Sequence, residues 1–243
     1  MLKRPTLFMR IHKTASEALA KQVRDRLAPD TVCPEQFEWQ VRTLPSERLR
    51  RYRFFQGHIS PSALTPAVDG LQVFTMLREP RERLLSCFFY WKRGSEHGRG
   101  EFFEAVAPLS LLDFLRSDEP IIRRSTWNVQ ARLLAGGTFG ARDDQRQNVF
   151  GPSLPESELS AEAIAALSRH AFVGVAEKYE LSLRRTYSLL ALGEPPAPEQ
   201  INVTAGKPAD YAALLADPEI ADALSRLTRV DQTVYDVARQ ALD

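Results

Sequence analysis

The chain has 243 residues, of which 44% are hydrophobic and 26% are charged. This composition is typical of soluble globular proteins and is sufficient for a sizeable core. The 32 basic and 31 acidic residues give a formal net charge of +1, which gives no global argument for nucleic acid or an anionic membrane surface, and we expect no nucleic-acid partner. Any anion-binding site must therefore be local. We expect a single domain over residues 1–243, because no repeat or change in composition divides the chain.

The two cysteines, Cys33 and Cys87, are too few for a disulfide framework, so we expect reduced thiols. No run approaches the ~20 apolar residues of a membrane span. Residues 3–5 are followed at once by strand-like residues, without the apolar core of a signal peptide. These features predict a cytoplasmic protein without a membrane span.

The first predicted elements are a strand and a helix joined by a short loop. Residues 6–11 form an apolar run that predicts a strand, and the spacing of apolar residues predicts a helix over 16–27. Ser16 can cap this helix and Pro29 can close it. A strand, a short loop and a helix are typical of the opening half of an α/β unit.

Further along the chain, strands are predicted at 52–56, 71–77 and 171–175, and helices at 80–93, 110–116, 120–135, 179–192 and 209–241. Residues 136–160 are rich in Gly, Pro, Asp and Ser, and they predict a long loop. Within the helix over 120–135, Asn128 and Arg132 share one face and are candidates to line a cleft. The pattern indicates an α/β domain with a parallel sheet and a helical C-terminal part.

The loop after the first strand has the features of an anion-binding site. A strand that leads into a helix directs backbone N–H groups and the positive helix end at one point. Lys13 lies at the mouth of this loop, Thr14 and Ser16 add hydroxyl groups, and Ala15 and Ala18 are small. The Walker pattern is absent, which argues against a Mg²⁺-nucleoside triphosphate site. A helix N-terminus preceded by an exposed lysine would account for the same residues.

A second candidate anion site follows another strand. Arg78 stands at the end of the predicted strand 71–77, and Ser86 lies on the helix that follows. Because the carboxyl ends of parallel strands form one crevice, we expect Arg78 and Lys13 to face the same space. An arginine fork with a serine hydroxyl suits a phosphate monoester.

With these residues the chain resembles the sulfotransferases that use 3′-phosphoadenosine 5′-phosphosulfate, and most closely their carbohydrate branch, which includes heparan sulfate 2-O-sulfotransferase. The resemblance extends from residue 6 to about 207. The matching segments are 11–16 (IHKTAS), 55–58 (FQGH), 77–86 (LREPRERLLS), 128–133 (NVQARL) and 172–177 (FVGVAE). The fold that the resemblance implies is a P-loop-like three-layer α/β/α domain with a central parallel sheet.

The resemblance also implies roles for these residues. Lys13 would stabilise the charge that develops as the sulfuryl group leaves the donor. Residues of the first loop and helix would hold the 5′-phosphosulfate, and others would hold the 3′-phosphate. The residues implied in donor binding are Lys13, Thr14, Ala15, Ser16, Glu17, Ala18, Arg78 and Ser86, with Lys207 as a loose match to a late loop that covers the nucleotide.

By the same resemblance, His58 matches the general base that accepts the proton of the acceptor hydroxyl. An imidazole, with an ordinary pKa of about 6.5, suits this role; as an alternative, His58 caps a turn. His12 stands where the family loop has Pro, and we interpret it as structural. The reaction requires no metal, and the four His and two Cys show no ligand spacing.

Glu17 departs from the Thr or Ser usual in the family loop. A carboxylate that points outward interacts favourably with the helix dipole, whereas one that points inward repels the donor.

From the resemblance as a whole we predict a cytoplasmic sulfotransferase that acts on a hydroxyl of a carbohydrate or glycolipid. Two alternatives are a kinase-like phosphoryl transferase and a catalytically silent nucleotide-binding protein. The arginines of 48–53 either line an acidic acceptor or form a solvated face. Nothing in the sequence indicates the oligomeric state.

Overall fold

The computed structural model describes residues 2–94, 100–142, 147–198 and 211–242. Its strands are β1 (Thr6–Met9), β2 (Phe54–Gly57), β3 (Gln72–Leu77), β4 (Thr138–Phe139), β5 (Val149–Phe150) and β6 (Phe172–Val175). The central sheet is parallel, in the order β2-β1-β3-β6, and β4 pairs with β5 in a separate antiparallel ribbon.

The register of the sheet aligns the carboxyl ends of its central strands. Leu7 of β1 lies opposite Phe55 of β2 on one side and Val73 of β3 on the other. Every residue of β1 and β2 is buried, as expected of parallel strands that are covered on both faces. The loops that follow β1, β2 and β3 therefore emerge next to one another at one edge.

The helices of the described residues are α1 (Ser16–Arg24), α2 (Glu38–Val41), α3 (Ser46–Arg51), α4 (Pro80–Gly94), α5 (Glu101–Val106), α6 (Leu111–Arg116), α7 (Pro120–Thr126), α8 (Val129–Leu134), α9 (Glu156–Arg169), α10 (Tyr179–Leu190), α11 (Tyr211–Ala216) and α12 (Pro218–Leu242). None of them is both long and apolar enough to cross a membrane.

Helices cover both faces of the sheet. On one face, Phe8 and Phe74 of the sheet pack with Leu19 of α1 and Tyr187 of α10. On the other face, a second core joins the sheet to α8, α9 and α12. The expected three-layer α/β/α fold with a central parallel sheet and a helical C-terminal part is thus confirmed.

A third core lies among helices. Trp91 of α4, Phe102 of α5, Phe114 of α6 and Ile122 of α7 pack against Leu224 in the N-terminal half of α12. Because the C-terminal half of α12 belongs to the core against the sheet, α12 connects these two cores.

Two predicted helices are each divided in the structure. The helix predicted over 120–135 ends at α7 and restarts as α8, because Asn128 adopts a left-handed conformation (φ 40°). Asn128 Oδ1 accepts hydrogen bonds from the N–H groups of Val230 and Asp231. The helix predicted over 209–241 is divided at Asp217, whose side chain caps the start of α12. Tertiary contacts and local capping thus override the helical periodicity.

The predicted long loop over 136–160 is also wrong. It contains β4 and β5, and α9 begins at Glu156. Leu159, Ala163 and Ala166 of α9 are buried at helical spacing, and the acidic first turn suits the positive end of the helix. The abundance of Pro and Ser before α9 concealed its start.

Candidate active site

The candidate site lies at the carboxyl edge of three neighbouring strands. His58 follows β2, the loop of residues 10–15 follows β1, and Arg78 follows β3. Since the strand order is β2-β1-β3, these three groups emerge side by side. The edge where parallel strands end is the usual place for a ligand in an open α/β sheet.

The loop after β1 has a strained backbone. Lys13 (φ 65°) and Ala15 (φ 59°) both adopt a left-handed conformation, on either side of Thr14. This conformation costs roughly 1–2 kcal/mol for each non-glycine residue. Left-handed residues next to a helix start curl successive N–H groups towards one point, which forms a nest for an anion. The first N–H groups of α1 have no intrahelical acceptor and extend this nest.

The hydroxyl groups of the loop are engaged within it. Thr14 Oγ1 and Ser16 Oγ donate to the carbonyl of Ile11, at 3.0 and 3.2 Å, and both residues are buried. The prediction that Ser16 caps α1 is wrong, because Ala15 occupies the cap position and the cap has no side-chain hydrogen bond. The hydroxyls instead hold the loop in shape, and the backbone N–H groups are the donors that the nest offers.

Lys13 and Arg78 meet at the centre of the edge. Arg78 Nη1 donates to the main-chain oxygen of Lys13 at 3.2 Å. The Lys13 ammonium lies 4.7 Å from the centroid of the Tyr90 ring, close enough for a cation–π interaction. Burial, and then the cations of Arg78 and Arg93, lower the pKa of Lys13, so a negative ligand here would relieve unfavourable charge.

A single glutamine fixes the main chain of Arg78. Gln130 Oε1 accepts from the Arg78 N–H at 3.0 Å, and Gln130 Nε2 donates to the Arg78 carbonyl at 2.9 Å. Gln130 itself stands at the start of α8, where Asp231 of α12 accepts its N–H at 3.2 Å. Asn128 and Arg132, the residues expected to line a cleft, are buried and hydrogen-bonded to backbone groups. That expectation is wrong, and Gln130 is the residue of this helix that reaches the site.

Gly57 and Arg10 determine how His58 is held. A Cβ at Gly57 (φ 149°) would lie 2.1 Å from the carbonyl oxygen of Gln36, and this close approach lets the His58 N–H donate to the same oxygen at 2.8 Å. His58 Nδ1 lies 2.8 Å from the carbonyl oxygen of Arg10. A carbonyl accepts but cannot donate, so Nδ1 carries the proton and the neutral ring has its basic lone pair on Nε2.

His12 stacks on His58. The ring centroids are 3.6 Å apart and the ring planes differ by 5°. Phe139 contacts both rings, with centroids 6.2 Å from His12 and 5.4 Å from His58. The interpretation of His12 as structural needs extension, because its side chain packs directly on the candidate base.

Glu17 is paired with two arginines. Arg10 Nη2 contacts one carboxylate oxygen, and Arg24 Nη2 lies 3.6 Å from the other. Arg10 Nη1 also donates to Gln56 at 2.8 Å and to Gln36 at 3.2 Å. The charge of the unusual carboxylate is therefore balanced within the protein.

Three predicted donor-binding residues have not yet been placed. Ala18 and Ser86 are buried, in α1 and α4, whereas Lys207 lies outside the described residues. Within the described ranges, no group of three His, Cys, Asp or Glu side chains is arranged to hold a metal ion. A cavity of about 440 Å³ beyond β6 is lined by residues 177–181 and Arg184.

Sequence reasoning missed Arg10, Gln130 and Tyr90. An arginine at the end of a buried strand, followed by a glutamate in the first turn of the next helix, is a signal that could have pointed to Arg10. Gln130 lies within the matching segment 128–133, but its contact with Arg78 depends on how α8 packs, and Tyr90 carries no comparable signal.

Comparison with known proteins adds little to this geometry. Neither the protein-family models nor the curated proteins include a match. Among solved structures, mouse sulfotransferase SULT7A1 complexed with PAP matches with 14% sequence identity and a TM-score of 0.38, over 90% of this chain and 64% of that chain. The chain thus spans less than two thirds of that structure, and a likeness at this level carries no argument.

Proposed function

We propose that the protein is a sulfotransferase that moves a sulfuryl group from 3′-phosphoadenosine 5′-phosphosulfate to an acceptor hydroxyl. The observation that carries this proposal is the contact between Arg78 and Lys13, which brings together the two candidate anion-binding loops after β3 and β1, with His58 directly after the adjacent β2. The donor has two separate anionic groups, and the reaction needs a base on one side of them.

In this proposal each of the two anion-binding loops binds one anionic group of the donor. The backbone nest of residues 13–17 binds the 5′-phosphosulfate, because it combines N–H groups with the positive end of α1. Arg78 and Ser86 bind the 3′-phosphate, which distinguishes this donor from ADP and ATP. Gln130 holds the backbone of Arg78. The Lys13 carbonyl and the Glu82 carboxylate, at 3.2 and 3.4 Å, hold its guanidinium, so this group is oriented before the donor arrives.

The transfer is an in-line displacement at sulfur. The acceptor oxygen forms a bond to sulfur while the bond from sulfur to the bridging phosphate oxygen breaks, and 3′-phosphoadenosine 5′-phosphate leaves. His58 Nε2 takes the proton of the acceptor hydroxyl, since the hydrogen bond from Nδ1 to Arg10 leaves the basic lone pair on Nε2. Lys13 stabilises the negative charge that develops on the bridging oxygen.

Two other functions are less well supported. A kinase-like transferase would require Walker residues and Mg²⁺ carboxylates, which the loop sequence does not supply. The alternative of a silent nucleotide-binding protein depends on a Glu17 charge that repels the donor, and Arg10 and Arg24 balance that charge. Such a protein would bind the desulfated donor without turnover.

The first test is calorimetric titration with 3′-phosphoadenosine 5′-phosphate, with ADP in parallel and without Mg²⁺. We expect micromolar binding and a clear preference over ADP. Arg78→Ala should weaken binding at least about tenfold, as for loss of a charged hydrogen bond of roughly 1.5–3 kcal/mol. Arg81→Ala is the matched control, because Arg81 is half exposed and lies 3.6 Å from Glu79; it should leave the affinity unchanged. Equal affinities for both nucleotides would contradict the proposal.

For the acceptor we propose a hydroxyl of a carbohydrate or glycolipid, encountered in the cytoplasm, with the motif resemblance to the carbohydrate branch as support. Incubation with sulfur-labelled donor and a panel of oligosaccharides, glycolipids, phenols and tyrosyl peptides tests the acceptor class. Label transferred to phenols or peptides alone would contradict it.

A further inference from the structure

Arg10 contacts two parts of the candidate site: its side chain contacts Glu17 at the start of α1, and its main chain contacts His58. It directly follows β1, and its side chain is only 8% exposed. The guanidinium contacts Glu17 and donates to two amide oxygens, those of Gln56 and Gln36. The main-chain carbonyl of Arg10 accepts a hydrogen bond from the Nδ1–H group of His58.

Glu17 creates an electrostatic problem that requires such a partner. It is the second residue of α1, so its carboxylate stands at the helix end whose N–H groups form the anion nest. A carboxylate there is attracted by the helix dipole and competes with any external anion for the same positive end. It also repels a multiply charged anion, by an amount that grows as solvent is excluded.

We propose that Arg10 is a positioning residue that holds the carboxylate of Glu17 aside from the anion nest and cancels its charge. This inference rests on the proposed function, because the anion in question is the phosphosulfate of the donor. Through its carbonyl, the same residue fixes the proton of His58 on Nδ1. Arg10 thus connects the loop after β1 to the candidate base through contacts with protein groups alone.

The geometry explains why this residue is an arginine. Its planar fork reaches a carboxylate and two amide oxygens at once, whereas a lysine ammonium has a single centre. Burial lowers the pKa of Arg10 and the Glu17 charge opposes that effect, so the carboxylate favours the charged form of the arginine. Arg24, at 3.6 Å and more exposed, is the weaker partner.

A double-mutant cycle tests the proposal. The affinity for 3′-phosphoadenosine 5′-phosphate is measured by calorimetry for the wild type, Arg10→Gln, Glu17→Gln and the double variant. Arg10→Gln should weaken binding about tenfold, because only the more distant Arg24, at 3.6 Å, then balances the carboxylate beside the nest. Glu17→Gln should bind at least as tightly as the wild type, and adding it to Arg10→Gln should restore affinity to within about threefold. Arg24→Gln is the control and should change affinity less than about twofold.

Two results would overturn the inference: unchanged binding in Arg10→Gln, or weakened binding that Glu17→Gln does not restore. Urea denaturation of every variant checks the fold. If Arg10→Gln does not fold, Arg10→Lys replaces it in the cycle. Because a lysine has a single centre and cannot keep all three contacts, we expect a loss of affinity of at least about threefold that Glu17→Gln restores; unchanged binding, or a loss without this rescue, would overturn the inference.

The wild-type measurement separates this inference from the proposed function. If the wild type binds inorganic pyrophosphate but not the nucleotide, the proposed function fails, and the same cycle with pyrophosphate still tests Arg10. If the wild type binds neither probe, both the proposed function and the inference fail.

Discussion

Substitution of Gly57 by alanine should separate β2 from the segment that precedes α2. The added Cβ would lie 2.1 Å from the carbonyl oxygen of Gln36 and 2.6 Å from its carbonyl carbon. Carbon and oxygen ordinarily approach no closer than about 3.3 Å, so the two backbone segments must part by about 1 Å. The neighbouring atoms are all backbone, and no side-chain rotation can relieve the contact.

The cost of this separation can be worked out from the bonds that it disrupts. The His58 N–H donates to Gln36 at 2.8 Å, and the His58 carbonyl accepts from Glu38 at 2.9 Å; each such bond contributes about 1 kcal/mol. The backbone at φ 149° adds strain of roughly 1–2 kcal/mol for a residue with a side chain. We expect Gly57→Ala to lower the free energy of unfolding by about 3–4 kcal/mol.

Urea denaturation measures this loss, with Gly70→Ala as the matched control. Gly70 also has a positive φ (64°), but a Cβ there would meet nothing within 4 Å, so the control carries backbone strain of only about 1 kcal/mol. With an m-value of about 2–3 kcal/mol per molar urea, Gly57→Ala should move the midpoint down by at least about 1 M. If both variants unfold at the same urea concentration, the close approach at Gly57 does not exist and the account of how His58 is held is wrong.

Three further predictions concern the loop and its neighbours. Ala15→Gly should raise the free energy of unfolding by roughly 0.5–1 kcal/mol in urea, because glycine adopts φ 59° without the left-handed penalty; a loss of stability would contradict the loop geometry. Competitive acetylation should give Lys13 a titration midpoint below the usual lysine value of about 10.4, and Arg78→Ala should raise that midpoint because a neighbouring cation is removed; an unmoved midpoint would refute the electrostatic contact. Once an acceptor is known, His12→Phe should retain turnover within about threefold while His12→Ala loses about tenfold, since a stacked ring contributes roughly 0.5–1.5 kcal/mol; equal turnover would show that the ring on His58 has no role.

The sheet could be predicted closely from sequence, because buried parallel strands are short apolar runs ended by polar residues. The run over 71–77 became β3, and that over 171–175 became β6. The helices were harder, since their ends depend on distant partners. Nothing near Asn128 in the sequence shows that its side chain accepts N–H groups from α12. Short helices such as α2 contain too few residues to show a period.

Parts of the candidate site followed from the order of the chain and other parts did not. His58 and Arg78 each come directly after a strand and Lys13 lies in the short loop after β1, so a parallel sheet places all three at one edge. The pairing of Arg10 with Glu17 requires knowledge of side-chain direction at the end of β1. The stack of His12 on His58 depends on the curl of a strained loop, which sequence periodicity does not describe.

Through Gln130, helix α12 affects the position of Arg78, although the two are far apart in sequence. Asp231, near the middle of that helix, accepts hydrogen bonds from two N–H groups in the first turn of α8. The side chain of Gln130 in that turn bonds to both the N–H and the carbonyl of Arg78. A tilt of α12 would therefore shift the main chain of Arg78, and with it the base of its side chain, through these two sets of hydrogen bonds. Truncation of the chain before Asp231 would remove the hydrogen bonds that hold the start of α8, so the position of Arg78 at the carboxyl edge depends on the C-terminal helix as well as on the loops around it.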